Sequence, residues 1–180
     1  MAELYDITLP VLLRYLDNLD GLLAKAGTHL RDSGADEAAL LDRALREGMF
    51  PLKWQLKIAI GFALRTVNPL LPVPLALPDG ALDSIEDVRI LARRTRAALA
   101  AISREALADA EGKPVSEKAG QAVFERPALE FVTCYALPNF FFHLAMAYAI
   151  LREAGCPVGK GDFDGFHRYG ADVDLKRFAI

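Results

Sequence analysis

Histidine is scarce in this 180-residue sequence, with only His29, His143 and His167. A metal held by two histidines of one helix needs them three or four residues apart on one face. His143 has Asn139 and Ala147 at the four-residue positions, so no such pair exists. Cysteine is scarcer still. Cys134 and Cys156 are the two, they form no CxxC pair, and a cytoplasmic chain keeps them reduced. Neither has a cation beside it in sequence to lower its pKa, so both are read as buried, inert thiols. Charge of one sign is also lacking. The 24 acidic and 21 basic residues leave a net charge of -3, which gathers neither nucleic acid nor anionic lipid. The most apolar stretch, Phe140 to Leu151, falls short of the roughly 20 residues of a spanning helix. It is interrupted by His143 and reads as a buried helix face, so no membrane partner is expected. Glu3 and Asp6 stand where an export signal carries basic residues, so the expected location is the cytoplasm. No nucleophile elbow, P-loop, dinucleotide fingerprint or calcium loop is present.

What the chain has in quantity is apolar side chains, 53% of the total, enough to fill one sizeable core in one domain. Their spacing is helical. Leu9, Leu12, Leu16, Leu19, Leu23 and Ala26 recur at three- and four-residue steps and predict a helix from about Thr8 to His29, with Pro10 in its first turn. A short helical piece spans Asp36 to Arg46, and Gly48 and Pro51 then mark a stop and a fresh start. The second long helix buries Leu52, Leu56, Ala59, Ala63 and Val67, and Ile58, Ile60 and Phe62 widen its apolar face. Pro69, Pro72, Pro74 and Pro78 make Asn68 to Asp83 a long crossover. Ser84 is set to cap a third helix with the stripe Val88, Leu91, Thr95, Ala98 or Leu99, and Ile102, while Arg89, Arg93, Arg94 and Arg96 form a solvated basic band. Val115–Ser116 and Gln121 to Phe124 suggest a small hairpin. The last helix starts near Pro138 after a lead-in from Ala128 to Tyr135. Its inward residues are read as Phe142, Ala145, Met146, Ala149 and Ile150. A polar tail, Val158 to Ile180, is held by Phe163 and Phe166. Four apolar-faced helices with short and long connections make an all-α four-helix bundle.

The candidate ligand-pocket residues are His143, Trp54, Gln55, Asn139 and Tyr148. His143 lies among phenylalanines and is either a pocket acid/base group or a core histidine bonded to a neighbour, the second reading being preferred. Gln55 and Trp54, on the first turns of the second long helix, line a cavity or tie helices together. Asn139 follows Pro138 and suits a helix-start contact. Gly159 to Gly165 is read as a structural turn.

Several segments together resemble a known family. They are LYDITLPVLLRYLDNL at Leu4 to Leu19, MFPLKWQLKIA at Met49 to Ala59, LPNFFFHLAMAYAILR at Leu137 to Arg152 and GKGDFDG at Gly159 to Gly165. The family is an uncharacterised bacterial one, of DUF1993 type, within the DinB-like superfamily. The resemblance implies a DinB-like four-helix bundle, commonly a homodimer. It also implies a superfamily metal bound by three histidines and used by thiol-dependent transferases, but that triad is absent here, and Gly61 and Glu153 replace an acidic residue and a histidine of the family pattern. The expectation is therefore a non-metal bundle without cofactor that binds a small molecule or a partner. The alternative is a divergent metal- or thiol-dependent transferase.

Overall fold

In a computed structural model, which describes residues 3–76 and 79–167, the chain is mostly helical. The long helices are α1 (Leu4–Ser33), α3 (Leu52–Val67), α4 (Ile85–Ala100) and α7 (Leu137–Glu153); α2 (Glu37–Leu41) and α5 (Glu105–Ala108) are short. Strands β1 (Pro114–Ala119) and β2 (Ala122–Pro127) pair antiparallel with Ala119 opposite Ala122. Gly120, at φ 60°, supplies the left-handed turn conformation that a two-residue hairpin requires. A final short helix, α8, covers Lys160–Asp164.

Helix α1 is longer at both ends than its apolar spacing indicates. The Glu3 N–H donates to Asp6 at 3.4 Å, and Gly34 closes the other end at φ 67°. Pro10 is therefore well inside the helix rather than in its first turn. There it is exposed and removes one backbone donor, at which a helix bends but continues when its apolar face is anchored. That anchoring is complete: Leu9, Leu12, Leu16, Leu19, Leu23 and Ala26 are all buried.

Two antiparallel helix pairs share the core. Along α1 and α4, Arg104 meets Asp6 and Glu3, Arg96 meets Asp17, and Arg89 and Arg93 meet Asp20. The basic band of α4 is thus not simply solvated. Three of its arginines, Arg89, Arg93 and Arg96, are spent on α1. Leu99 rather than Ala98 continues the α4 stripe, and Thr95 is fully buried with its hydroxyl unpartnered. Ser84 caps α4 by accepting from Asp87 N–H at 3.1 Å. Along α3 and α7, Gln55 meets His143 at one end and Arg65 meets Tyr135 at the other. Arg65 also pairs with Glu117, which fastens the hairpin across that end. In the crossover, Asn68 clamps Leu75 by one hydrogen bond in each direction, both 3.0 Å; Pro78 lies outside the described residues.

α6 (Ala128–Glu130) runs into α7 through a π-helical stretch, Phe131–Ala136. Its cause is local: Pro138 has no N–H to give Cys134 in an α-helical register. The backbone widens so that Leu137 N–H reaches Val132, and the Asn139 side chain donates to the Tyr135 carbonyl at 2.7 Å.

The inward face of α7 differs from the one read from sequence. Phe140, Leu144, Ala147, Ile150 and Leu151 are buried, Phe142 is 54% exposed, and Ala145, Met146 and Ala149 are half-buried. Over Ala128–Glu153 the helical run is 26 residues with a mean hydropathy of 1.4 in its richest window. By length and composition alone it is long and apolar enough to cross a membrane, although it packs along α3.

Residues 159–167 dock on α1. Asn18 donates to the Phe163 carbonyl at 2.9 Å, Lys25 pairs with Asp162 at 2.6 Å, and Arg14 lies 4.4 Å over the Phe166 ring. Phe163 packs edge-on against Tyr15 and Tyr148. The sequence's structural turn is therefore a capped single helical turn. The tail beyond residue 167 lies outside the described residues.

Candidate functional site

The buried end of α3 places one polar group among apolar ones. Pro51, extended, starts the helix, and one turn on, Gln55 is 2% exposed. Its Nε2 donates to the Phe50 carbonyl at 3.2 Å, and its Oε1 lies 2.7 Å from His143 Nδ1. A carbonyl only accepts, so the Phe50 oxygen fixes which end of the amide faces it. Gln55 then offers His143 an acceptor, and Nδ1 must carry the proton. In the neutral ring that leaves Nε2 as a bare acceptor. Phe62 stacks on the imidazole with centroids 5.9 Å apart, and Phe142 meets it edge-on at 5.1 Å. Burial pushes the His143 pKa below its ordinary 6.5.

The other candidate residues do not join this pair in one cavity. Trp54 is 42% exposed with Lys57 Nζ 5.3 Å from its ring centroid, so it is neither buried nor a tie between helices. Asn139 serves the π-helical backbone. Tyr148 faces α1 and α8 through Phe163. Two surface clefts among the described residues lie elsewhere. One of about 400 Å³ lies where Gly27 and Arg31 of α1 face Glu37 and Ile85. Another, of about 460 Å³, opens beside Lys25, His29 and Pro157. None of the five candidates lines either one.

A metal of the DinB type does not fit the donors present. His143 has its Nδ1 committed to Gln55, Glu153 is engaged by Arg43 through two bonds, and His167 contacts Asp164. Among the described residues no three histidine, cysteine, aspartate or glutamate side chains converge in a way that could hold an ion. The thiols differ from each other. Cys156 is buried and its pKa is raised by that burial. Cys134, in the π-helical stretch, is exposed, contrary to the sequence reading.

Residues 4–164 match the family described as a domain of unknown function, DUF1993. The chain belongs to that family. It is also similar to a solved structure, a DinB family member protein from Shewanella denitrificans, with 29% identity and a TM-score of 0.82 over 93% of this chain and 95% of that one. No curated protein matches. Of the four family-like segments, three are accounted for by packing. Leu4 to Leu19 supplies the α1 stripe, Met49 to Ala59 starts α3 and holds Gln55, and Gly159 to Gly165 docks on α1. The fourth, Leu137 to Arg152, both packs and carries His143.

One surface feature was only partly legible in the sequence, which widened the α3 face without showing where the surplus lies. Trp54, Ile58 and Gly61 fall on one stripe of α3, and Phe142, Met146 and Ala149 on one stripe of α7, by three- and four-residue spacing. Both stripes lie on the side of the α3/α7 pair turned away from the core. The signal was present in the sequence as apolar periodicity wider than one face.

Proposed function

We propose that the chain is a non-metal, DinB-like four-helix bundle that works as a homodimer, joining a second copy through the outer face of α3 and α7. The observation that carries this reading is the uncovered apolar stripe. Phe142 and Phe50 are 54% and 56% exposed, and Trp54 42%, while the half-buried Ile58, Met146 and Ala149 lie between them. Scattered apolar residues on a surface need no explanation, but apolar stripes on the same side of two neighbouring helices mark a contact.

The size of the face is consistent with a weak dimer. Helices of 16 and 17 residues are about 24 Å long and lie roughly 10 Å apart, so their joint outer face is about 24 by 20 Å. That is roughly 480 Å² before the loop carrying Phe50 is added, the size of a small, weak interface rather than the ~800 Å² per partner of a standard one. A small-molecule role has weaker support, since no cleft described above reaches His143.

The test is the mass in solution. Sedimentation equilibrium at micromolar concentration should give the dimer, and Phe142→Asp should give a folded monomer, because each copy then buries an unpaired carboxylate. A wild-type chain that stays monomeric at hundreds of micromolar refutes the proposal. The alternative, a divergent metal- or thiol-dependent transferase, predicts stoichiometric zinc or nickel after metal-replete growth and a metal-induced rise in Tm.

A further inference from the structure

Within the α3/α7 face two polar atoms lack partners of the complementary kind. His143 Nε2 is an acceptor, since Gln55 holds the only proton of the neutral ring on Nδ1, and no donor reaches Nε2 among the described residues. The Trp54 indole N–H is a donor with no acceptor among them. Both are on the same side of the helix pair, one on each helix. In a two-fold contact each residue of one copy meets a different residue of the other, and the reverse pair forms by symmetry. A donor on α3 and an acceptor on α7 therefore satisfy each other twice in such a contact and not at all within one copy. This complementarity favours a second copy over a lipid surface, which offers Nε2 no fixed donor.

We propose that His143 makes the association of two copies proton-dependent, its bare Nε2 accepting the Trp54 indole N–H of the second copy when neutral and driving the copies apart when protonated. The inference rests on the homodimer reading and specifies what that contact recognises. A protonated ring has a second N–H, which meets the indole donor head-on, and it carries a positive charge into an apolar contact where burying an unpaired charge is costly. Among the described residues no carboxylate is placed to compensate it. On α3, Lys53 is paired with Asp42, Lys57 sits at Trp54, and Arg65 is paired with Glu117 of the hairpin. In the π-helical stretch Tyr135 is engaged with Arg65, and at the far end of α7 Glu153 is engaged with Arg43.

The sign follows from the burial of the ring. Desolvation already favours the neutral form in the single chain, and a second copy buries it further, so its pKa is lower in the dimer than in the monomer. The dimer is then stable above the monomer's value and is lost as pH falls through it. Two histidines change state per dimer, so the dissociation constant should rise by up to 100-fold per pH unit below the midpoint.

The experiment is sedimentation equilibrium of the full chain from pH 8 to pH 5, with near-UV circular dichroism to show that it stays folded. Wild type should dissociate on acidification. His143→Phe loses the two indole bonds and should associate more weakly, but its dissociation constant should not change with pH. Gln55→Glu, which places a carboxylate on Nδ1–H and stabilises the imidazolium, should move the midpoint upward by about one pH unit or more. Trp54→Phe keeps the ring and loses the donor, and should weaken the neutral dimer roughly 10- to 30-fold, two bonds being lost. A dimer whose stability is flat with pH, or a Gln55→Glu midpoint that does not move, overturns the role of His143 while leaving the homodimer standing. A chain that is monomeric at every pH overturns both. Recruitment of the monomer to phosphatidylcholine vesicles in place of dimerisation overturns the second copy as the occupant of the face.

Discussion

Gly161 should be the glycine this chain can least do without. An ideal Cβ built there would lie 1.8 Å from the His167 carbonyl oxygen and 3.0 Å from its carbonyl carbon. An ordinary carbon–oxygen contact is about twice the shorter distance, so the backbone of 165–167 must move by more than 1 Å to admit alanine. That movement pulls on the Phe163 carbonyl bond to Asn18, on the Phe163 ring between Tyr15 and Tyr148, and on the Asp164 carboxylate that holds the Phe166 and His167 N–H groups. Overpacking of this kind costs about 1–3 kcal/mol. In a chain of this size that lowers Tm by roughly 2–12 °C. Gly21 is the control of opposite sign. It is in the middle of α1, exposed, with nothing within 4 Å of a Cβ, so Gly21→Ala should stabilise by about 0.5–1 kcal/mol through helix propensity. Both are read by urea unfolding followed by circular dichroism, and limited proteolysis should cut Gly161→Ala first within 159–167. If Gly161→Ala unfolds at the wild-type urea concentration, the close approach of 161 to 167 is wrong.

Removing Asp20, which serves both Arg89 and Arg93 and is only about a quarter exposed, should cost about 1 kcal/mol as Asp20→Asn. Asp17→Asn, at a pair where Asp17 is 55% exposed, should cost less than about 0.5 kcal/mol, and the difference should shrink in 1 M salt. Acid should loosen the 159–167 segment early. Burial alone would raise Asp162 and Asp164, but Lys25 and the Gly159 N–H at the first, and the backbone donors and His167 at the second, hold both below the ordinary 3.8. Their stabilisation is complete above 3.8 and is lost as pH falls below it, so hydrogen exchange of the Gly165 amide should accelerate between about pH 4 and pH 2 before that of core α1 amides. A thiol reagent should label one cysteine, Cys134, in the folded chain and two after denaturation; labelling of Cys156 under native conditions contradicts its burial.

The long helices were legible because their determinants are local. The α1 stripe and the α3 stripe are fixed by spacing, the start of α4 by Ser84, and the break before α3 by Gly48 and Pro51. The errors lie where distant residues decide. Pro10 marks a helix start by itself, but Asp6 and Glu3 extend α1 past it and the buried leucines hold the helix through the missing bond. The arginines of α4 read as solvent-facing because their partners, Asp17 and Asp20, are about 70 to 80 positions away. His143 and Gln55 were both singled out, yet their pairing depends on the packing of α3 against α7, and only that packing fixes which ring nitrogen is bare.

The largest misreading is the most informative about function. Phe142, Ala145, Met146 and Ala149 repeat at core-like spacing, and periodicity reports only that a stripe is to be covered, without saying by what. Within one chain α7 can turn a single stripe onto α3 and the core, and it turns Phe140, Leu144, Ala147 and Ile150–Leu151. A helix apolar on two sides has one side more than a single chain of this architecture buries. The same surplus appears on α3, where Trp54, Ile58 and Gly61 add an outer stripe to Leu52, Leu56, Ala59 and Ala63. Two neighbouring helices with surplus on the same side offer one face, and Gly61, with nothing within 4 Å of its missing Cβ, leaves open space in the outer stripe of α3. Gly61→Leu therefore separates the two demands on α3. It replaces a helix-weakening glycine in open space, so it should not destabilise the monomer, while the added side chain should weaken association of the proposed dimer at least tenfold by sedimentation; unchanged association would refute this face as the contact.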